Sequence, residues 1–189
     1  MIQIKVKGKR SQEPTEQTPP GVRSGTKILA TPDPVSPLPV FIEVQTLAEM
    51  SARAVRAGGY EVGGFLIGGL HTHEGKRYVD VRHHIPSLQA ESAAAHLTFT
   101  NEAQRECYAI KDRDFPGEVV LGWYHTHPGY GVFLSGYDLF IHKQFFTLDW
   151  HVAIVIDPTA APPTRDGGVF IWQDGRISQS KGMTVYAAS

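Results

Sequence analysis

The spacing of hydrophobic positions changes several times along the chain, and each change predicts an element. Val40 to Val44 reads as a short strand. Thr46 to Arg56 has helical spacing, with Thr46 as its cap and Gly58 and Gly59 at its end. Glu61 to Leu70 and Lys76 to Ile85 are strand candidates joined by a turn around His73 to Gly75, and His96 to Thr100 is a shorter one. From Asn101 to Lys111, Ala103, Cys107 and Ile110 fall at i, i+4 and i+7, the spacing of one helix face. Phe115, Pro116 and Gly117 break the chain before Val119 to Thr126, a largely apolar run that predicts a strand covered on both faces. After a Gly-rich loop, Ser135 to Phe146 reads as a helix. His151 to Ile156, Gly168 to Gln173 and Met183 to Tyr186 read as strands. The expectation is an α/β domain over residues 40–189, built around one sheet, with no internal repeat.

Residues 1–39 have a different character. Between Ser11 and Pro39 there are seven prolines among Ser, Thr, Gln and Gly, a composition that predicts a mobile or extended leader. Ile2, Ile4 and Val6 alternate with polar residues, which suits either a short strand or a frayed terminus.

Composition narrows the function. The 189 residues have room for one domain and a tail, with 41% hydrophobic and 20% charged residues. A net charge of -1 gives no general attraction to nucleic acid or to an anionic membrane. No apolar run approaches the roughly 20 residues needed to span a bilayer, and the first residues are too polar for a signal peptide. Cys107 is the only cysteine, so no internal disulfide exists. A cytoplasmic location is expected, and Cys107 reads as a small core residue.

The chemistry is concentrated in the segment from His125 to Asp138. At a strand end, residues i and i+2 point to the same face, so His125 and His127 can aim both imidazoles at one point. Pro128 stops the strand, the glycines turn the chain, and Ser135 sits where a helix N-cap belongs. Asp138, three residues on, shares a helical face with Ser135. Two histidines and one carboxylate, with a fourth position for water, form a ligand set used by catalytic zinc. A closed structural site would need a further ligand, usually a thiolate, and one cysteine rules out the common zinc-finger patterns. Each fragment alone has a plainer reading, because His-x-His recurs by chance and Ser-x-x-Asp starts many helices. The segment His71-Thr72-His73 has the same local spacing with no Ser-x-x-Asp behind it, and reads as a solvated pair. His83, His84, His96 and His151 read as structural. His142, four residues after Asp138, is a candidate to support the metal site from behind.

His125-Thr126-His127, the seven residues after it and Ser135-x-x-Asp138 resemble the signature of the JAMM, or MPN-plus, metalloprotease family. Glu61-Val62-Gly63-Gly64 is similar to that family's Glu-x-x-Gly strand, and Gly122-Trp123-Tyr124 and Ile156-Asp157-Pro158 are similar to further family positions. The likeness runs from about Val40 to Gly175, with no departure at a ligand. It implies a single MPN-type, cytidine-deaminase-like domain with a curved mixed sheet flanked by helices. It also implies one zinc (Zn2+) per chain on His125, His127 and Asp138. The activity implied is that of a zinc metalloprotease, an isopeptidase cleaving after the C-terminal glycine of ubiquitin or a ubiquitin-like modifier. In that resemblance Glu61 moves protons and Ser135 donates a hydrogen bond to the oxyanion.

Two other functions use the same sequence differently. A metal-free MPN-type scaffold would bind partners without chemistry, and a zinc hydrolase of small peptides or sulfur-carrier precursors would use the same ligands with another cleft. The expected partners are a ubiquitin-like substrate and other components of a modifier-conjugation pathway, with neither nucleic acid nor membrane. Pro86 to Ala95, rich in small side chains, suits either an extended substrate tail or an ordinary loop.

Overall fold

The computed structural model of the chain describes residues 12–31, 36–87, 100–160, 167–180 and 182–188. In chain order these residues form β1 (Thr15–Glu16), β2 (Thr26–Ala30), β3 (Val40–Glu43), α1 (Val44–Arg56), β4 (Gly63–His73) and β5 (Lys76–Pro86). Then come α2 (Asn101–Asp114), β6 (Val119–Thr126), α3 (Gly136–Phe145), β7 (Val152–Ile156), β8 (Gly168–Gln173), β9 (Arg176–Gln179) and β10 (Thr184–Ala188). Strands β2-β10-β3-β5-β4-β6-β7-β8-β9 lie side by side in one mixed sheet, and β1 pairs with the far end of β4. The expected α/β class, a single sheet flanked by helices, is the observed one.

Both faces of this sheet are covered, which explains the unbroken apolar runs. Helix α1 places Leu47 and Met50 against Leu66, Val81, Leu121 and Ile154 on one face. Helices α2 and α3 place Cys107 and Ile141 against Phe65, Ile67, Trp123 and Val155 on the other. All eight residues of β6 and all five of β7 are buried, so alternation in their side-chain pattern vanishes, as it does for strands with helices on both sides. Cys107 is buried as expected, and burial pushes its thiol up to about 12, out of reach of ordinary nucleophilic chemistry.

Three local expectations need correction. Helix α1 is capped by Glu43, whose Oε2 accepts from the backbone N–H of Gln45 and Thr46 at 2.8 and 3.1 Å. Thr46 is instead a buried residue whose hydroxyl donates to the Arg82 carbonyl. A carboxylate can reach the same orphan N–H groups as a shorter cap, and the positive end of the helix favours its charge. His71 is also not solvated. It is 5% exposed, its Nδ1 lies 2.7 Å from Thr15 Oγ1, and burial, with Arg82 nearby, lowers its pKa. Finally, strand β9 has no counterpart in the hydrophobic pattern, because Arg176 to Gln179 pairs at the sheet edge with little apolar content.

Two strands fall before residue 40, where composition predicts a mobile or extended leader. Strand β2 pairs antiparallel with β10. Around β1, Gln17 donates its N–H to the Thr72 carbonyl, Tyr78 Oη donates to the Gln17 carbonyl, and Arg23 stands 3.7 Å from the buried carboxylate of Asp80. Backbone pairing, side-chain hydrogen bonds and the Arg23–Asp80 pair hold this segment, and none of these requires an apolar run. The candidate strand at Ile2 to Val6, and His96 to Thr100 apart from Thr100, lie outside the described residues. So does Pro86 to Ala95 beyond Ser87. Thr100 caps α2.

Candidate metal centre and active site

Strands β6 and β7 run parallel, and the site forms where they end. Thr126 pairs with Ile156, and the next N–H, of His127, still donates to the Ile156 carbonyl at 2.9 Å. Pro128 then offers no donor, and Gly129 and Gly131 turn the chain at φ 80° and 83°, which only glycine adopts without strain. His125 and His127 therefore leave β6 on the same face, with their Nε2 atoms 3.0 Å apart.

Helix α3 supplies the carboxylate. Ser135 Oγ accepts from the N–H of Asp138 at 3.2 Å, and Asp138 Oδ2 accepts from the N–H of Ser135 at 2.7 Å, a reciprocal capping box. This turns the Asp138 carboxylate back over the start of the helix, where Oδ2 stands 3.4 Å from His125 Nε2 and 3.5 Å from His127 Nε2. The capping box thus leaves Asp138 Oδ2 facing both imidazoles.

These distances suit a metal. Ligand atoms about 2.0 to 2.1 Å from a tetrahedral zinc stand about 3.3 Å from one another. The three candidate atoms are separated by 3.0, 3.4 and 3.5 Å, and all three residues are buried. Among the described residues, these three form the one group placed to hold a metal ion. Charge follows the same geometry. Burial lowers the pKa of His125 against the pull of Asp138. For His127, burial also works downward, but Asp138 outweighs it and the pKa rises. Burial alone would raise Asp138, and its hydrogen bonds to the two imidazoles hold it well below the usual carboxylate range.

Glu61 is brought to the same place by the β4–β6 ladder. Gly63 pairs with His125. At the ladder's end Thr126 donates its N–H to the Val62 carbonyl at 2.9 Å, and its Oγ1 accepts the Val62 N–H at 2.9 Å. Continuing that register sets half-buried Glu61 opposite His127, and its charge works upward on both imidazoles, without reversing the lowering of His125 by burial. Ser135 uses its oxygen to accept the Asp138 N–H, leaving its own O–H to donate elsewhere.

The contacts of several supporting residues, including the expected His142, become visible only here. Trp123 stacks on His125 with ring centroids 4.6 Å apart and planes 10° from parallel. His142 accepts the Trp123 indole N–H at 3.0 Å, so it supports His125 at one remove, and burial holds its pKa down to about 3, keeping it neutral. Phe133, partly exposed, packs 4.7 Å from His127. Asp157 is buried yet ionised: burial pushes its pKa up, but N–H and O–H donors hold it at about 2. A hydroxyl inside an apolar strand, as at Thr126, and an acid ending a buried one, as at Asp157, were the available signals. His71 and His73 stand apart from this centre, with His71 bound to Thr15 and His73 3.8 Å from Glu16.

A mixed sheet with this centre at the parallel strand ends defines an MPN-type domain, and residues 36–149 match the family described as JAB1/Mov34/MPN/PAD-1 ubiquitin protease. The chain belongs to that family. It is 32% identical over 136 residues to 26S proteasome non-ATPase regulatory subunit 14 of Dictyostelium discoideum, covering 71% of this chain and 44% of the relative. It is 34% identical over 128 residues to COP9 signalosome complex subunit 5 of Caenorhabditis elegans, covering 63% and 32%. It is 29% identical over 123 residues to NAD(+) hydrolase TcpA of Theionarchaea archaeon (strain DG-70-1), covering 65% and 35%. The chain thus spans less than half the length of these relatives. The solution structure of a Desulfitobacterium hafniense protein shares the fold, with a TM-score of 0.56 at 21% identity, covering 77% of this chain and 92% of that one. No helix among the described residues is long and apolar enough to cross a membrane.

Proposed function

We propose that this chain is a zinc-dependent isopeptidase that cleaves after the C-terminal glycine of ubiquitin or a ubiquitin-like modifier, removing or maturing it. The observation that carries this reading is the convergence of His125, His127 and Asp138 to 3.0–3.5 Å, with the Glu61 charge acting on both imidazoles and Ser135 bonded to Asp138. A scaffold without chemistry has no physical use for two imidazoles held so close to a carboxylate in a buried site.

His125, His127 and Asp138 would hold the ion. When bound, zinc supplies Lewis-acid polarisation and a water that ionises near neutrality. Glu61 takes the proton from the attacking water and delivers it to the departing amine, which is a poor leaving group until protonated. The Ser135 hydroxyl donates to the carbonyl oxygen as negative charge gathers there, a contact whose removal commonly costs about 3 to 4 kcal/mol of barrier. A glycine at the cleavage point lets the substrate backbone come close to the ion, and a folded modifier supplies further binding energy. In this reading residues 40–189 are the catalytic unit, working in the cytoplasm beside other components of a modifier-conjugation pathway. The paired segment at residues 12–31 lies at the far end of the sheet.

The test offers the protein a ubiquitin-like modifier joined through its terminal glycine to a lysine side chain, alongside unrelated peptides of equal length. Release of the amine from the modifier fusion alone is expected. Equal hydrolysis of the unrelated peptides would make the protein a general peptidase. Modifier binding without hydrolysis, by protein that takes up no zinc, would favour the metal-free scaffold.

A further inference from the structure

The two histidines are supported differently. His125 has its ring plane set by stacking under Trp123, and its Nδ1 has no hydrogen-bond partner among the described residues. His127 instead has Nδ1 3.2 Å from the carbonyl oxygen of Gly131. That carbonyl lies in a tight glycine loop, and the loop is held by one carboxylate from the neighbouring strand end. Asp157 Oδ1 accepts from the N–H of Gly129 at 3.0 Å, the N–H of Thr159 at 2.9 Å and the hydroxyl of Thr159 at 2.7 Å. Its Oδ2 accepts from the N–H of Gly131 at 3.0 Å.

We propose that Asp157 is a positioning residue for the metal centre, pinning the Gly129–Gly131 loop so that the Gly131 carbonyl holds His127 with its proton on Nδ1 and its Nε2 lone pair aimed at the ion. This rests on the zinc reading above and goes beyond the ligands themselves. The two oxygens are used differently: Oδ1 serves both the loop, through Gly129, and the turn at Thr159, while Oδ2 serves the loop alone. The bonds to Thr159 close a local turn after β7 and use Oδ1 only, as an Asp does in many turns. The bond from Oδ2 to Gly131 contributes nothing to that turn, and it lies on the amide next to the peptide whose carbonyl meets His127. An imidazole whose second nitrogen donates to a fixed acceptor presents one tautomer and one orientation, and loss of such outer support typically lowers metal affinity about 10- to 100-fold.

Asp157→Asn separates these uses, because its amide oxygen can keep the three donors at Oδ1 while its NH2 faces the Gly131 N–H. By chelator competition, zinc affinity is expected to fall about 10- to 100-fold. Thr159→Val, which disturbs only the turn, should leave affinity within about twofold of wild type, well below the range that loss of outer support produces. In zinc-free protein labelled with 15N-histidine and held at alkaline pH, wild-type His127 should carry its proton on Nδ1, and Asp157→Asn should redistribute it while His125 keeps its signal. The proposal is overturned if Asp157→Asn binds zinc as tightly as wild type, or if Thr159→Val weakens zinc as much. It is overturned without any variant if zinc-free wild-type His127 is protonated on Nε2 alone. A wild type that binds no zinc would instead sink the metal reading on which the proposal stands.

Discussion

Asp138→Ala is expected to abolish stoichiometric zinc binding while leaving the protein folded. Asp138 Oδ2 is the sole oxygen in the converging set, and its loss leaves two imidazole nitrogens 3.0 Å apart with no carboxylate in contact with them. Three ligands hold catalytic zinc in proteins, and two form a far weaker site. The affinity loss should therefore exceed the roughly 10- to 100-fold typical of changes behind the ligands. The fold should survive, since the same substitution removes only one half of the α3 capping box, and loss of a helix cap costs about 1 kcal/mol. Elemental analysis after dialysis, with circular dichroism as the folding control, reads both outcomes. His71→Ala is the matched comparison, because His71-Thr72-His73 has the same local spacing but sits among β1 contacts away from the centre. Full zinc in Asp138→Ala, or an empty site in His71→Ala, would show that the ligands are wrongly assigned.

Glu61→Gln is expected to keep zinc and substrate binding but lower kcat by about 100- to 10,000-fold, the range over which positioned acid–base groups contribute. Glu61 lies outside the ligand group, so the metal has no reason to leave. Glutamine keeps the side chain's shape at the end of the β4–β6 ladder and removes the carboxylate that takes and returns the proton. A fall in kcat with unchanged modifier affinity locates the loss in the transition state. Turnover near wild type would remove Glu61 from the proton path. Loss of zinc in this variant would make it a ligand instead.

The hydrophobic pattern and the motif order carried the local part of this protein. Runs such as Val119 to Thr126 announce buried strands because helices on both faces erase alternation, and His-x-His at a strand end forces two rings to one side by backbone geometry alone. Ser135 and Asp138 were legible for the same reason, since three residues at a helix start fix both the cap and the direction of the carboxylate. The expected turn at His73 to Gly75 is a tight hairpin, with Glu74 and Gly75 at φ 50° and 74°.

What only the tertiary structure decided lies in contacts between residues far apart in the chain. Glu43 displaced Thr46 as the α1 cap because Thr46 found a partner at Arg82, 36 positions away. His71 is buried because residues 15–17 lie down on the end of β4, so a histidine pair that looks solvated becomes part of an interface within the fold. Trp123, on the same strand face as His125, is locked there by His142 from another element. Asp157 reaches the Gly129–Gly131 loop because β6 and β7 run parallel and end together. Periodicity reports which face a side chain takes along its own strand or helix. Which distant donor or ring waits there is set by strand order and register, and these depend on the packing of the whole sheet.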